Sequence, residues 1–525
     1  MGDHLIRNPI LPGFHPDPSI IRVGDDYYLA TSTFEWFPGV ALFHSRDLAH
    51  WRPIGHVATR RAQLDLRGIG DSAGLWAPSL SFDGARFYLI VCNVRSRLTN
   101  FKDMQVMLFT AEHIDGPWSE PAILNGMGFD PSLFHDPDTG RKWVCNIQWD
   151  ARPGKYRFAG NYIQEYDPRE RRLIGPPIPT VIKPNVLCEG PNLYKVDGWY
   201  YLMMAQGGTG WNHGISMARA RQIEGPYELD PQPLVITSRK SPGNVLQKAG
   251  HGELVQTQAG EWYLVHLASR VSYPDRRSLL GRETCLQKVA WSDDGWLRLA
   301  HGGTDPLVEV SAPTGLTPHP FSAEPERDDF DRPTLSPHWQ SLRVPVESSW
   351  VDLESQPGTL RLRGRESLHS LFDQSLLARR LESFVATAET CVRFDPTHYT
   401  QSAGLIVYYD TRTHFYLRVT HDEQRGRVLG VVQTDDGAYA EGPVVPVEGP
   451  RVFLRATLDG DFLRFSASPD GRAWQTVGAP IDQTKLSDDY GAGMKFTGPM
   501  IGICCQDLNQ GRAVAEFDHF ELRTQ

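Results

Sequence analysis

At 525 residues the chain exceeds one ordinary core and, at roughly 150 residues per domain, has room for two to four domains or for two large all-β ones. Hydrophobic residues at 40% and charged residues at 22% exclude a disordered or fibrous class. The 53 Lys and Arg against 63 Asp and Glu, net −10, argue against a nucleic-acid partner, and no run of about 18 apolar residues could span a membrane.

The chain opens on Met1-Gly2-Asp3-His4-Leu5-Ile6-Arg7-Asn8-Pro9, which lacks the apolar core of a secretory signal, so a cytoplasmic location is expected. From there one segment recurs five times: a short apolar strand, a Gly-centred turn, then an aromatic-rich strand. The copies open on Asp17-Pro18-Ser19, Ala77-Pro78-Ser79, Asp130-Pro131-Ser132, Gly190-Pro191-Asn192 and His251-Gly252-Glu253. Their spacings of 60, 53, 60 and 61 residues each hold four short strands with loops.

Further relatives follow the hairpins: Ser45-Arg46-Asp47-Leu48 with Trp51, Ala111-Glu112-His113-Ile114 with Trp118, and Ala220-Arg221-Gln222-Ile223 with Tyr227. They read as outer strands of each unit. Alternating apolar patterns, 48 Gly, 39 Pro and no long 3.6-residue periodicity predict an all-β fold, a five-bladed β-propeller. A large sandwich would not repeat at this period.

The repeat fades after Gly302-Gly303, so residues 1–305 form the predicted propeller and the Pro-rich 306–326 a linker. Residues 327–525 show alternating runs at Thr359 to Arg363, Gly404 to Tyr409, Phe415 to Val419, Arg451 to Ala456 and Phe462 to Ala467. Two packed antiparallel sheets, a β-sandwich, are expected. The seven cysteines lie mostly in apolar runs without zinc spacing and read as buried free thiols.

In a propeller the first strand of each blade lines the axis, so equivalent positions of different blades converge. Those positions carry Asp17, Ala77, Asp130 and His251, with Glu189 one residue ahead of the fourth. Asp-Pro-Ser alone is an ordinary turn-forming strand start. Three carboxylates at one end of an axis would repel, raising the pKa of at least one, and that asymmetry suits general acid–base chemistry. His251 reads equally as a core imidazole, a metal ligand or a sugar contact. Phe34, Trp36, Phe37 and Trp76, in loops and strand starts of the first two blades, could stack on pyranose faces or belong to the core.

These motifs, with Ser32-Thr33-Phe34-Glu35-Trp36-Phe37-Pro38-Gly39-Val40, Leu75-Trp76-Ala77-Pro78-Ser79, Gly128-Phe129-Asp130-Pro131-Ser132 and Glu189-Gly190-Pro191, resemble family 43 glycoside hydrolases of the two-domain β-xylosidase type. The resemblance runs from Asn8-Pro9 to Cys504-Cys505-Gln506-Asp507. It implies a five-bladed propeller followed by a concanavalin-like jelly-roll sandwich. It also implies an exo-acting, inverting hydrolase with Asp17 as general base, Glu189 as general acid and Asp130 tuning and orienting that acid.

The resemblance further suggests Phe34, Trp76, His251 and Arg282 as contacts to the terminal sugar, with Phe496 closing the pocket from the sandwich. The expected substrate is a xylo-oligosaccharide, with an α-L-arabinofuranoside, or both, as the alternative and a non-catalytic carbohydrate-binding propeller as the remote one. Loops from Arg95 to Phe101 and Ala151 to Ala159 are expected on the leaving-group side. No organic cofactor is implied. Calcium could sit near the axial histidine or among Asp328, Asp329, Asp331 and Asp518, although those acids read equally as a solvated turn. A dimer or tetramer is expected from the same likeness.

Overall fold

The structure, a computed structural model, describes residues 5–525. It is all-β, and the one regular helical element among the described residues is a 3-10 turn at Gln483–Lys485. Five four-stranded antiparallel sheets follow one another in sequence, each in simple consecutive order. Their innermost strands are Ser19–Val23, Gly74–Phe82, Ser132–His135, Cys188–Val196 and Leu246–Gln256. Each packs against the next and the fifth returns to the first, so the ring is closed. The second strands, such as Phe87–Ser96, are buried for most of their length because blades pack face to face, so they read as continuous apolar runs.

Closure is reinforced from outside the blades. Leu5–Arg7 pairs antiparallel with Glu309–Ser311, and Leu11 bridges to Thr284 of the fifth blade. Part of the expected linker is therefore docked on the propeller, and further along it the Asp47 carboxylate accepts the His319 N–H at 2.6 Å. The segments after each hairpin are also corrected: Ser45, Ala111 and Ala220 end the third strands, and the residues after them, 46–48, 112–114 and 221–223, form turns before the fourth strands. Their polar residues serve those turns, as where Asp47 accepts the N–H groups of Ala49 and His50.

Residues beyond the linker fold as two large antiparallel sheets packed on one core that includes Trp350, Leu405, Phe415, Leu454 and Phe517. All five alternating runs noted in the sequence are strands there. One sheet crosses the domain boundary: Trp36–Phe37 of the first blade pairs with Gln340–Leu342 of the sandwich. Trp36 and Phe37 are consequently buried in the junction and face no sugar site. The seven cysteines are free and buried.

Candidate active site

The five repeat starts share one backbone feature. Asp17, Ala77, Asp130, Gly190 and His251 all have positive φ, at 55°, 37°, 52°, 55° and 31°. Pairing with the second strand slips at this point in the second, fourth and fifth blades, between Trp76 and Ser79, Glu189 and Asn192, and Gly250 and Gly252. Such bulges re-aim side chains, and four non-glycine residues held in left-handed conformations mark strain concentrated at the axis. In the fourth blade glycine takes the left-handed position and the acid moves to the neighbouring residue, Glu189. A Cβ on Gly190 would lie 2.9–3.2 Å from the His251 ring.

Asp17, Asp130, Glu189 and His251 line a cavity of about 540 Å³ together with Phe34, Trp76, Arg282 and Phe496, so the eight residues expected as acids or sugar contacts from the family resemblance meet there. Asp17 is held hardest. Arg282 Nη1 donates to its Oδ1 at 2.7 Å, and Ser32 Oγ donates to its Oδ2 at 2.7 Å. Burial alone would raise the Asp17 pKa, but Arg282, then His251 and Ser32, outweigh it and hold the group below the usual carboxylate value.

Glu189 and Asp130 move the other way. Burial, then the charge of Asp17, pushes Glu189 up to about 8 against the opposing pull of Arg282. Burial, then Glu189 and Asp17, drives Asp130 well above the ordinary aspartate range. Three carboxylates share one guanidinium, so the Asp130–Glu189 pair keeps a proton at neutral pH while Asp17 is ionised. His251 Nδ1 stands 3.9 Å from Asp130 Oδ2, beyond hydrogen-bond reach. Burial, reinforced by Arg282 and opposed by Asp17, keeps that imidazole neutral.

Aromatic rings form the walls. Phe34 lies 6.2 Å from Trp76 and 6.1 Å from Phe496, and Trp76 meets Phe496 edge-on at 5.2 Å. Phe496 comes from the sandwich. Its carbonyl accepts Arg282 Nη2 at 2.9 Å, and its N–H donates to Ser72 Oγ at 3.0 Å. The approach is close because both sides carry glycine: a Cβ on Gly281 would lie 2.9 Å from the Gly498 Cα, and one on Gly498 would lie 2.8 Å from the Phe14 Cβ.

The sequence reading missed several contributors. Glu35, fully buried, accepts the Ser72 N–H at 3.0 Å, and Arg343 of the sandwich donates its N–H to the Glu35 carbonyl at 3.0 Å. Burial, then the charge of Asp71, pushes the Glu35 carboxyl up to about 8. His213 lines the cavity with its Nδ1 3.0 Å from the Lys248 carbonyl, and burial, then His251, lowers its pKa to about 3. Neither occupies a repeat position, so the periodicity could not find them, although Glu35 lies within the Ser32–Val40 motif.

Three of the acids named for calcium have other partners. Asp328 accepts the Trp339 indole N–H at 2.9 Å, Asp329 pairs with Arg327 at 2.6 Å, and Asp518 lies 3.7 Å from Arg451. Among the described residues no group of three or more His, Cys, Asp or Glu is arranged to hold a metal ion.

An ionised and a protonated carboxyl group in one aromatic-walled cavity of a five-bladed propeller are the parts a glycoside hydrolase needs. Residues 6–297 match the family model for glycosyl hydrolases family 43. The chain belongs to this family. Residues 327–523 match the β-xylosidase C-terminal concanavalin A-like domain. A xylosidase/arabinosidase 43B of Humicola insolens is 44% identical over 530 residues, 99% of this chain and 97% of that one. A β-xylosidase of Bacillus subtilis is 42% identical over 541 residues, 99% of each chain. The crystal structure of a xylan β-1,4-xylosidase from Bacillus halodurans superposes with a TM-score of 0.97 at 50% identity, covering 99% of this chain and 100% of that one. This family 43 hydrolase thus shares both domains with these proteins over essentially their full lengths.

Proposed function

We propose that this family 43 hydrolase is an exo-acting, inverting β-1,4-xylosidase that releases D-xylose from the non-reducing ends of xylo-oligosaccharides. The observation that carries the reading is the opposed protonation of Asp17 and Glu189 within one cavity. Asp17, ionised, takes a proton from the water that attacks the anomeric carbon. Glu189, protonated, donates to the departing glycosidic oxygen; burial and the charge of Asp17 sustain that proton, and Asp130 is the neighbouring acid proposed to orient it.

In this reading the terminal sugar lies at the base, with Phe34 and Trp76 against its C–H faces and His251 and Arg282 at its hydroxyls. Phe496, reaching over from the sandwich, limits the depth of the pocket and so favours exo action. The xylosidase names of similar proteins support xylose as the released sugar. The double name of the Humicola insolens protein favours α-L-arabinofuranoside cleavage by the same acids as the second reading. A cytoplasmic location and self-association as a dimer or tetramer belong to the same proposal; light scattering of the purified protein tests the latter.

Aryl β-D-xyloside and aryl α-L-arabinofuranoside hydrolysis, compared by kcat/KM, tests the choice of sugar. Preference for the arabinoside would replace the first reading by the second. Proton NMR of early product should show α-xylose from a β-xyloside, and first-formed β-xylose would overturn the inverting mechanism.

A further inference from the structure

Among the described residues the acids lining the cavity are Asp17, Asp130 and Glu189, at or next to the repeat starts. Its rim is cationic. Arg97, Lys102 and Arg157 line the same cavity, on the two loops that flank Trp149 and Phe158. Their neighbours in sequence are neutralised: Arg95 lies 3.8 Å from Asp103, and Arg152 pairs with Asp150 at 2.5 Å. Arg97, Lys102 and Arg157 have no carboxylate within 4.0 Å among the described residues.

The fixed contacts of Arg97 and Lys102 are to carbonyl oxygens, and the acids whose charge reaches Arg97, Glu35, Asp71 and Asp410, act only at longer range. Arg97 Nη2 donates to the carbonyls of Asp71 at 3.0 Å and Met494 at 2.7 Å. Lys102 Nζ donates to the Arg97 carbonyl at 3.4 Å and stands 4.9 Å over the Trp149 ring. Trp149 is pinned by its own N–H to the Asn100 carbonyl at 2.6 Å, which ties the two loops together. Burial, then the charges of Arg97 and Arg157, lowers the Lys102 pKa, so the three cations share one local field. This positive rim stands on a chain of net charge −10. Unpaired like charges beside a low-dielectric wall focus the field on the cavity mouth and favour an anionic partner there.

The proposed function places the terminal xylose at the base, beside Asp17 and Arg282, so the sugars behind the scissile bond leave past Trp149 and this rim. Resting on that reading, we infer that Arg97, Lys102 and Arg157 form a carboxylate-recognising subsite, and that the enzyme prefers xylo-oligosaccharides bearing a uronic acid on a sugar behind the scissile bond. The hydrolysis is unchanged: one water is consumed, xylose departs, and the shortened acidic oligosaccharide keeps its carboxylate. The ring of Trp149 offers the following sugar a stacking face while the cations meet its substituent.

The test compares an acidic xylo-oligosaccharide, its uronic acid on the second sugar, with the methyl ester of the same compound, which keeps the shape and removes the charge. In 20 mM NaCl the acid should show a kcat/KM about fivefold to tenfold above the ester, and that advantage should shrink severalfold in 500 mM NaCl. Arg157→Gln and Lys102→Met, checked for folding by thermal melting, should each bring the acid-to-ester ratio closer to one. A ratio of one or below in the wild type, or a ratio indifferent to both salt and the substitutions, overturns the inference. Neutral xylotriose separates this from the underlying reading. Release of xylose from xylotriose without an acid preference sinks the subsite alone, whereas no release sinks the proposed function and the subsite with it.

Discussion

Replacing Arg282 by methionine should displace the acidic limb of the pH–rate profile. The guanidinium is the one arginine bonded to Asp17, at 2.7 Å, and it is the leading influence that holds this carboxyl below its ordinary value against burial. Without it, burial prevails. A buried carboxylate that loses an adjacent arginine typically rises by about 1–3 pKa units. If Asp17 is the base, the acidic limb of kcat/KM should move up by a similar amount, and activity at pH 5 should fall beyond any loss at pH 7, by about tenfold where the shift reaches the upper part of that range.

Stability carries the same signature. In the wild type Asp17 has a lowered pKa, so its stabilising contribution is present above the ordinary aspartate value of 3.8 and is lost as pH falls through the folded value. In Arg282→Met the sign reverses. The variant should melt close to the wild type in acid and fall behind as pH rises above 4, reaching a deficit of ~3–5 kcal/mol for an uncompensated buried charge. The assay is kcat/KM for an aryl xyloside across pH 3.5 to 9, alongside melting curves in the same buffers. An acidic limb that stays in place, or a stability deficit independent of pH, would refute the reasoning.

Glu189→Gln should lower kcat for xylobiose by about 10²–10⁴ while sparing aryl xylosides whose phenol leaves without protonation; equal losses on both would remove the general-acid role. In the wild type the basic limb should fall near pH 8 as Glu189 ionises, and a limb well below pH 7 in the same titration would contradict the upward shift. Glu35→Gln should melt more nearly alike at pH 6 and pH 9 than the wild type. The carboxyl binds its proton up to about 8 when folded but only to 4.5 when unfolded, so the wild type loses stability as pH rises between those values. Gly190→Ala strains a backbone φ of 55° and pushes a methyl group against the His251 ring, so kcat/KM should drop at least tenfold with the fold retained; wild-type kinetics would show that the ring can give way.

The repeat made much of the site legible. Asp17 and Asp130 were readable because radial symmetry maps a sequence spacing onto a common axis, and Glu189 because a Glu one residue off register in an apolar strand start is out of place. Phe496 was reachable only through family likeness, since no periodicity links the sandwich to the axis. Trp36 and Phe37 show the opposite limit. As aromatic residues beside Phe34 they looked equally fit to stack on sugar, yet they pair with Ser341 and Leu342 and hold the two domains together. The turn segments near Asp47, Glu112 and Gln222 misled for a related reason, because a recurring motif marks equivalent places in a fold without saying whether they are strands.

By itself the amino-acid sequence determined the class and the five-fold repeat, and it pointed to three acids at equivalent places in that repeat, because hydrophobic alternation and recurrence are properties of the chain. The tertiary structure alone decided which acid is ionised and which is protonated. It also set the Glu35–Ser72–Phe496 connection, the neutral His213 and the cationic rim. Each depends on burial and on charges brought together from distant segments, and neither quantity exists until the chain has folded.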